Sequence, residues 1–433
     1  MSFNIELHKE VTQVTTRQDQ TLGIMRWGLD NSYPQTLKNI VEQSPSAKPA
    51  VSRTAKFYKG QGFEGEDTIV SPYGLTLKKV VAIMAEDYAM FEAFALHCNY
   101  NIKGEVVGIN PMRITDLRFN EFDELNFASK IGYHENFGLN SEVQRTITNM
   151  VSRNKIRWID RFNPDVVENQ IMNLGKDDSE SEIAQLTKGI GMYKGQILYH
   201  TETGHSSYPI SPLQAPINYV LSDVENSILV RKETATGFIS TYLLKTMLDE
   251  NDANLIALED AIERAQGARG SGKVITMSGL SEAEMAGTVL EELGGGAGGR
   301  SAIIESAKLA FELDQKVIHG AYLIPPILAG ADVATGFSTE ALKDAYFVFN
   351  SITQGGRDTI ESELNRILAI STFKVKEIQI EKLELDLEEE GDEVEVDENG
   401  LPIANPKEDP KADQKKIEKS ETKVEKTEPK TKE

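Results

Sequence analysis

Two long amphipathic segments joined by a proline-containing loop constrain the fold of this chain more than any other feature. They span residues 301–368, and Pro325 and Pro326 separate them. Apolar residues recur at helical spacing on both sides of the prolines. They are Ile304, Phe311 and Ile318 before the prolines and Leu342, Tyr346 and Phe349 after them. Because proline stops a helix, the pattern predicts a helix, a stiff turn and a second long helix.

The loop has its own turn chemistry. Gly330 and Gly336 allow unusual backbone angles, and Ser338 is placed to cap the following helix with Glu340 in its first turn. These residue types alone predict an ordinary helix–loop–helix connector just as well as a loop with a specific function. Further along, the Gly355-Gly356 pair predicts a break or kink in the second helix.

A third helix is expected upstream, after a proline-rich lead-in. The segment 207–238 reads SYPISPLQAPINYVLSDVENSILVRKETATGF. An apolar stripe follows Pro216, which is tolerated in the first turn of a helix. The stripe consists of Ile217, Val220, Leu221, Val224 and Ile228.

Residues 1–206 favour an α+β region. Apolar spacing predicts a helix over residues 77–98, and residues 1–75 read as short extended pieces and turns. Strands are predicted on both sides of the Lys103-Gly104 turn, with Pro111 breaking the second, and again in RNKIRWIDRF and MYKGQILYHTE. A polar loop is expected around residues 175–182. Residues 239–299 predict a smaller section with a short helix (255–265), a KVITM strand and a glycine-rich stretch.

Composition excludes several classes of protein. The single cysteine, Cys98, rules out an internal disulfide framework or a multi-cysteine metal site. The chain lacks an apolar run of the roughly 18 residues that a simple membrane-spanning helix needs. The formal net charge of −22 argues against tight wrapping of nucleic acid, which needs Lys and Arg on phosphates. An acidic wall is nevertheless compatible with DNA that slides past it.

Motifs for catalysis are weak. GARGSGKV (267–274) resembles a P-loop but has Val274 where the magnesium-binding Ser or Thr belongs, and it follows a predicted helix. GGGAGG (294–299) opens a helix, but TVLEEL before it is a poor strand for a dinucleotide fold. The six histidines show no metal-binding pair at helical spacing, and a nucleophile elbow is missing. We therefore expect no catalytic residues, no metal and no cofactor.

The segments 207–238 and 301–368 together resemble the portal protein of tailed bacteriophages, the head-to-tail connector. RWGLDNSYP (26–34) resembles an N-terminal motif of one portal subgroup. The resemblance implies an α+β portal fold, with residues 1–206 as the wing and 207–238 as the first stem helix with its lead-in. Residues 239–299 would form the clip, 300–322 the second stem helix, 323–338 the tunnel loop and 339–387 the long crown-side helix with a terminal strand. Residues 388–433, acidic and then rich in Lys, Glu and Pro, predict a disordered tail.

The resemblance also implies function and partners. Such a protein forms a ring, typically of twelve subunits, at the capsid vertex of the virion after assembly in the host cytoplasm. Double-stranded DNA passes through it without sequence-specific contacts, and it docks the terminase large subunit, the major capsid protein and head-completion or adaptor proteins. The channel-facing residues of the tunnel loop would be Pro325, Pro326, Ile327, Leu328, Gly330, Thr335, Gly336 and Phe337. Three acids are candidates for lumen or intersubunit positions: Glu305, Glu312 and Asp314.

Two alternatives stay open at the level of sequence. One is a nucleotide-binding enzyme that uses the degenerate P-loop with Lys273. The other is a non-portal structural virion protein that binds through its acidic tail.

Overall fold

Helices and strands are mixed along the chain, so the α+β prediction is confirmed. The computed structural model describes residues 16–124, 127–138, 151–177, 179, 181–202, 208–235, 241–245, 256, 274–277, 289–293, 297–330 and 339–385. The chain divides into two units, Met1–Glu384 and Leu385–Glu433, and every element below belongs to the first. The predicted tail, 388–433, lies outside the described residues. In the described part, every helix is too short or too polar to cross a bilayer.

The helices lie at the following positions: α1 Tyr33–Gln43, α2 Ala47–Lys59, α3 Leu77–Phe91, α4 Val167–Leu174, α5 Glu182–Met192, α6 Ile217–Ala235, α7 Ala297–Ala321, α8 Pro326–Ala329 and α9 Thr339–Ala369. The strands are β1 Thr16–Asp19, β2 Ile24–Trp27, β3 Ala93–Tyr100, β4 Val106–Met112, β5 Leu117–Phe119, β6 Lys130–Tyr133, β7 Arg157–Arg161, β8 Gln196–Thr201, β9 Thr241–Lys245, β10 Val274–Met277 and β11 Val289–Leu293.

A six-stranded sheet organises the N-terminal region. Its order is β4-β3-β8-β7-β6-β5, and only the β7–β8 pair is parallel. The Lys103-Gly104 turn between β3 and β4 is confirmed, with Gly104 at φ 73°. Pro111 does not break β4, because β4 is an edge strand and proline can occupy an edge without losing a ladder hydrogen bond.

The predicted helix over residues 77–98 is too long. It ends at Phe91, where Glu92 adopts the left-handed conformation (φ 52°) and donates its N–H to the Tyr88 carbonyl. Ala95, inside the predicted helix, lies instead in β3. This strand is buried on both faces, so its near-continuous apolar run cannot be told from a helix by periodicity.

Helices α1, α2, α4 and α5 were missed by sequence analysis. Residues 1–75 contain two of them, and the predicted polar loop around 175–182 lies between the other two. RWGLDNSYP forms the junction between β2 and α1. Its Asn31, at φ 65°, accepts hydrogen bonds from the Trp27 N–H and the buried Arg118 side chain. Trp27 in turn stacks on Tyr208 at 4.7 Å, so this motif packs on the lead-in to α6.

The helices on either side of the small sheet are confirmed. Helix α6 begins at Ile217, directly after Pro216, and α7 ends at Ala321 before the prolines. Between them lies a three-stranded sheet of order β10-β9-β11, in which KVITM provides β10. The assignment of TVLEEL as a poor strand was wrong, since it provides β11; however, β11 pairs antiparallel with β9, unlike the strand of a dinucleotide fold.

The predicted break at Gly355-Gly356 was also wrong, because α9 runs unbroken from Thr339 to Ala369. The reason for glycine at one of these positions is close packing. A Cβ on Gly356 would lie 2.3 Å from the ring of Tyr58, whereas a Cβ on Gly355 would have no atom within 4 Å. Gly356 thus lets α9 approach α2.

Candidate functional site

Helices α6 and α7 pack side by side and antiparallel. Near the N-terminus of α6, Asp223 interacts electrostatically with His319, and one turn further along, Asn226 donates a hydrogen bond of 3.1 Å to Asp314. The residue numbers of these contacts rise along α6 and fall along α7, so the two helices run in opposite directions. We refer to α6 and α7 together as the stem pair.

The fully buried carboxylate of Asp223 joins the stem pair to the N-terminal region. It accepts hydrogen bonds from the Ser44 hydroxyl at 2.5 Å, from the Ser46 N–H at 2.9 Å and from the Ser46 hydroxyl at 3.2 Å. The Ser44 oxygen also accepts the N–H of Ala47, the first residue of α2. A carboxylate beside a helix N-terminus satisfies free N–H groups and complements the helix dipole. Asp223 therefore anchors the stem at the start of α2.

Two titratable groups of α7 face this junction. Burial raises the pKa of Asp314, and the neighbouring Asp223 adds to the effect, while bonds from Ser222 and Asn226 oppose it. Burial and the positive charge of Arg53 lower the pKa of His319, against smaller contributions from Ser46 and Asp223. A neutral His319 avoids placing a second positive charge beside Arg53.

The segment after α7 is a tight turn held by its apolar residues. Tyr322 and Ile324 are buried, and the Tyr322 hydroxyl donates to the Ala89 carbonyl at 2.9 Å. Leu323, between them, adopts φ 53° and is exposed. Pro325 then accepts the N–H groups of Leu328 and Ala329, which starts the short helix α8. Gly330 ends α8 in the left-handed conformation at φ 75°. Leu323 is thus exposed between two residues that stay in the core.

Only some of the residues predicted from the sequence to face the channel lie in this turn. Pro326 and Gly330 are exposed, and Pro325, Ile327 and Leu328 are half-buried. Leu328 packs at the edge of the core. Thr335, Gly336 and Phe337 lie outside the described residues.

The three predicted acids of α7 occupy different environments. Glu305 is exposed. Glu312 is half-exposed and lies 3.9 Å from Lys308 one turn earlier. Asp314 is buried against α6 and occupies no free surface of this chain. The geometry therefore assigns Asp314 to the contact between the stem helices.

Large apolar side chains are uncovered on the stem pair and on α9. On α7, Leu309 is 62% exposed and Leu313 is 52% exposed. On α6, Leu229 and Val230 are exposed, and on α9 Phe347 is 74% exposed. Leu309 and Leu313 are four residues apart and so lie on one face of α7.

Helix α9 is held against the sheet by a second polar cluster. His200 on β8 lies between two carboxylates, with Nδ1 3.3 Å from Glu363 of α9 and Nε2 3.4 Å from Glu202. Its ring stacks on Phe94 at 5.0 Å. Burial alone would lower the pKa of His200, but Glu363 and Glu202 outweigh it and raise that pKa above the ordinary value.

A buried arginine fastens the middle of α9. Arg357 donates to the Phe57 carbonyl near the end of α2 and to Thr353 and Asn350, one and two turns earlier in α9. Sequence analysis missed Arg357, Asp223 and His200. A charged residue beside the apolar stripe of α9 was the available signal for Arg357. Asp223 lies off the stripe of α6, and neither Asp223 nor His200 carried such a signal.

Within the described residues, no group of three or more His, Cys, Asp or Glu side chains could hold a metal ion. Cys98 is buried in β3, and burial raises the pKa of its thiol.

No protein-family model and no curated protein matches the chain. Several solved structures are similar in fold. A chain in the virion of a native gene transfer agent particle is 12% identical, with a TM-score of 0.47, over 91% of this chain and 90% of that one. A chain in the neck of an empty gene transfer agent particle, computed with C6 symmetry, is 11% identical, with a TM-score of 0.48, over 82% and 85%.

A third similar structure is an HK97 family phage portal protein from Corynebacterium diphtheriae. It is 11% identical, with a TM-score of 0.41, over 76% of this chain and 90% of that one. The chain is similar in fold to this portal protein and to chains of gene transfer agent particles.

Proposed function

We propose that this chain is the protomer of a portal ring, the channel through which double-stranded DNA enters and leaves a capsid. The proposal rests on the sequence pattern of residues 207–238 and 301–368 and on the arrangement those residues adopt. They form an antiparallel helix pair, a proline turn and a 31-residue helix in the order that the resemblance implies.

The observation that carries the proposal is the uncovered apolar surface of the stem pair. Leu309 and Leu313 expose more than half of their side chains on one face of α7. Burying a leucine stabilises an association by about 1.5–3 kcal/mol. A second copy of the chain is the occupant we propose. Its contact would be heterologous, which closes a ring when the rotation between neighbours is right.

The other parts of the chain take mechanical roles in this proposal. Residues 1–206 form the wing, β9–β11 the clip that docks the terminase and later the head-completion proteins, and α9 the crown-side helix. The turn around Pro326 and the loop to residue 338 face the channel. Twelve subunits, contact with the major capsid protein and a location at the capsid vertex of the virion belong to the same proposal.

The acidic character of the chain suits such a channel. A wall that neutralised phosphates would hold the DNA in place, whereas an acidic wall repels it weakly and lets it slide. Glu305 and Glu312 are our candidates for lumen or intersubunit positions, since both reach the surface of α7. Asp314 stays within the protomer.

The experiment combines negative-stain imaging with solution mass. The full chain is expected to form closed rings with a hole wide enough for duplex DNA. Because each leucine is already partly buried in the protomer, the double variant Leu309→Gln/Leu313→Gln costs each interface about 2–3 kcal/mol, and we expect rings to give way to protomers. Glutamine keeps good helix propensity, so the helix itself should persist.

The matched control is Ile183→Gln on α5, which removes an even more exposed apolar side chain from a helix outside the stem pair. We expect this variant to form rings like the parent chain. Filaments, sheets or stable dimers of the parent chain would refute the portal proposal. Rings that survive the double leucine change would refute the interface.

A further inference from the structure

Helix α9 carries a second uncovered apolar surface. Phe347 is 74% exposed, Val348 is 48% exposed and Ile352 is 40% exposed. Val348 and Ile352 lie one turn apart on the same side of the helix, and Phe347 adjoins them. The other side of these turns is in the core, where Phe349 and Thr353 are buried. The three exposed side chains therefore form a face that no described residue of this chain covers.

A heterologous contact needs two different surfaces on every protomer, one for each neighbour. The exposed leucines of α7 supply one of them in the proposed ring. The second must be another surface of the same chain. We use the name α7 face for Leu309, Leu313 and Lys316, and the name α9 face for Asp344, Phe347, Val348 and Ile352.

Each face ends in one charged residue, and the two charges are opposite. Lys316 follows Leu313 by three residues, and Asp344 precedes Phe347 by three residues. At this spacing a side chain lies on the same side of the helix as its apolar neighbour. Lys316 and Asp344 are both exposed, and neither is part of an ion pair among the described residues. The two faces are thus complementary in charge as well as apolar.

The spacing of the two faces matches when the helices run antiparallel. On the α7 face the far leucine lies seven residues from the lysine, and on the α9 face the isoleucine lies eight residues from the aspartate. With a rise of about 1.5 Å per residue, these separations are about 10.5 Å and about 12 Å. When Lys316 lies beside Asp344, the two leucines come opposite Val348 and Ile352.

Charge disfavours the parallel arrangement of the same two faces. With the leucines again opposite Val348 and Ile352, Glu305 would lie beside Asp344, because each acid precedes its apolar pair by four residues. Two like charges placed together across an interface weaken it. In the antiparallel arrangement Glu305 comes opposite residues 354–356, which carry no charge. The charges therefore favour the antiparallel direction.

Given the proposed ring, on which this inference rests, we propose that the α7 face of one copy packs antiparallel on the α9 face of the next copy, with Lys316 paired to Asp344. Each protomer then uses its α7 face for one neighbour and its α9 face for the other. Apolar side chains at three- and four-residue spacing form the ridges and grooves of such a helix contact. The ion pair determines direction and register, and the apolar side chains supply the affinity.

The first test removes the α9 face from the full-length chain. Phe347→Gln/Ile352→Gln should abolish rings in solution mass and negative-stain images, as the double leucine variant does. The matched control is Ile183→Gln/Met192→Gln on α5, which removes two apolar side chains of similar exposure, 76% and 48%. This control should form rings like the parent chain.

Mixing the two defective variants gives the result that is specific to this pairing. The double leucine variant keeps an intact α9 face, and the α9 variant keeps an intact α7 face. A 1:1 mixture should therefore form one contact between the two chains and stop at a heterodimer, whereas each variant alone stays a protomer. The heterodimer also shows that both variants fold.

A charge exchange tests the register. Lys316→Glu and Asp344→Lys should each raise the protein concentration needed for rings by about tenfold, because an attraction becomes a repulsion. The combined variant Lys316→Glu/Asp344→Lys should return that concentration to within about twofold of the parent value. The matched control is Lys308→Glu/Asp344→Lys, which changes the same charges but uses a lysine on the flank of α7. It should assemble as poorly as Asp344→Lys alone.

The outcomes separate this pairing from the portal proposal. Rings of the α9 variant overturn the pairing and leave the portal proposal standing, and a mixture without heterodimer overturns the pairing as well. A dimer of the parent chain that persists in the α9 variant and is lost in the double leucine variant shows two α7 faces in contact and overturns both. Filaments of the parent chain, with the heterodimer in the mixture, support the pairing and refute the portal ring.

Discussion

Neighbouring glycines in α9 should respond differently to the same substitution. Gly355 faces open space, so Gly355→Ala gains helix propensity of about 1 kcal/mol without a new contact. Gly356→Ala gains the same propensity but places a Cβ 2.3 Å from Tyr58 Cε1, where ordinary contacts begin at 3.4 Å. The missing distance of more than 1 Å must come from movement of a ring packed edge-on against Tyr88.

Overpacking of this kind costs about 1–3 kcal/mol. The shared propensity cancels in the difference between the two variants, so the free energies of unfolding should differ by about 1–3 kcal/mol. Gly355→Ala should be more stable than the parent chain, and Gly356→Ala should be at best equal to it.

The assay is urea unfolding followed by circular dichroism at one protein concentration, because oligomerisation makes stability depend on concentration. Tyr58→Leu shortens the group that Gly356 faces. In that background the two alanine variants should become equal, which gives the coupling energy between residues 58 and 356. The packing argument is refuted if Gly356→Ala stabilises the parent chain as much as Gly355→Ala does.

Two further outcomes concern the polar anchors. Asp223→Ala leaves three buried donors of Ser44 and Ser46 without an acceptor and should lower the free energy of unfolding by at least about 3 kcal/mol. Asp223→Asn keeps an acceptor and should lower the free energy of unfolding by less. Equal urea midpoints for the two variants would contradict the anchoring role. The pKa of His200 is raised in the folded state. The protonated His200 therefore stabilises the fold fully below about pH 6.5, and this contribution is lost as the pH rises through the folded pKa. The stability difference between the parent chain and His200→Gln should therefore shrink from pH 6 to pH 8, and a constant difference in urea midpoints would show that the ion pairs with Glu363 and Glu202 contribute nothing.

The helices that could be predicted from the sequence were those with a long periodic apolar stripe and a proline next to one end. Helices α6 and α7 begin and end close to the predicted residues, because Pro216 and Pro325 limit them locally. The turn at Gly104 was predictable for the same reason. Short helices such as α1 and α4 were missed, since eleven or eight residues carry too little periodicity to outweigh their polar composition.

Where a prediction from local sequence fails, the reason is a contact with residues far away in the chain. Pro111 is tolerated in a strand because β4 is at the sheet edge. Glycine is required at position 356 of α9 because the ring of Tyr58, about 300 residues earlier, fills the space that a side chain would need. The orientation of the candidate residues also depends on such contacts. Glu305 and Asp314 read alike as helical acids, yet only Asp314 faces Asn226 of the neighbouring helix.

By itself, then, the sequence determined the α+β class, the order of helix, small strand section, helix, proline turn and long helix, and the acidic charge of the chain. Each depends on local stereochemistry or on composition, which need no knowledge of partners in space. Only the tertiary structure decided that Asp223 anchors the stem at α2 and that Arg357 and His200 fasten α9. These arrangements join residues that are far apart in the chain, and burial determines the strength of their hydrogen bonds and charges.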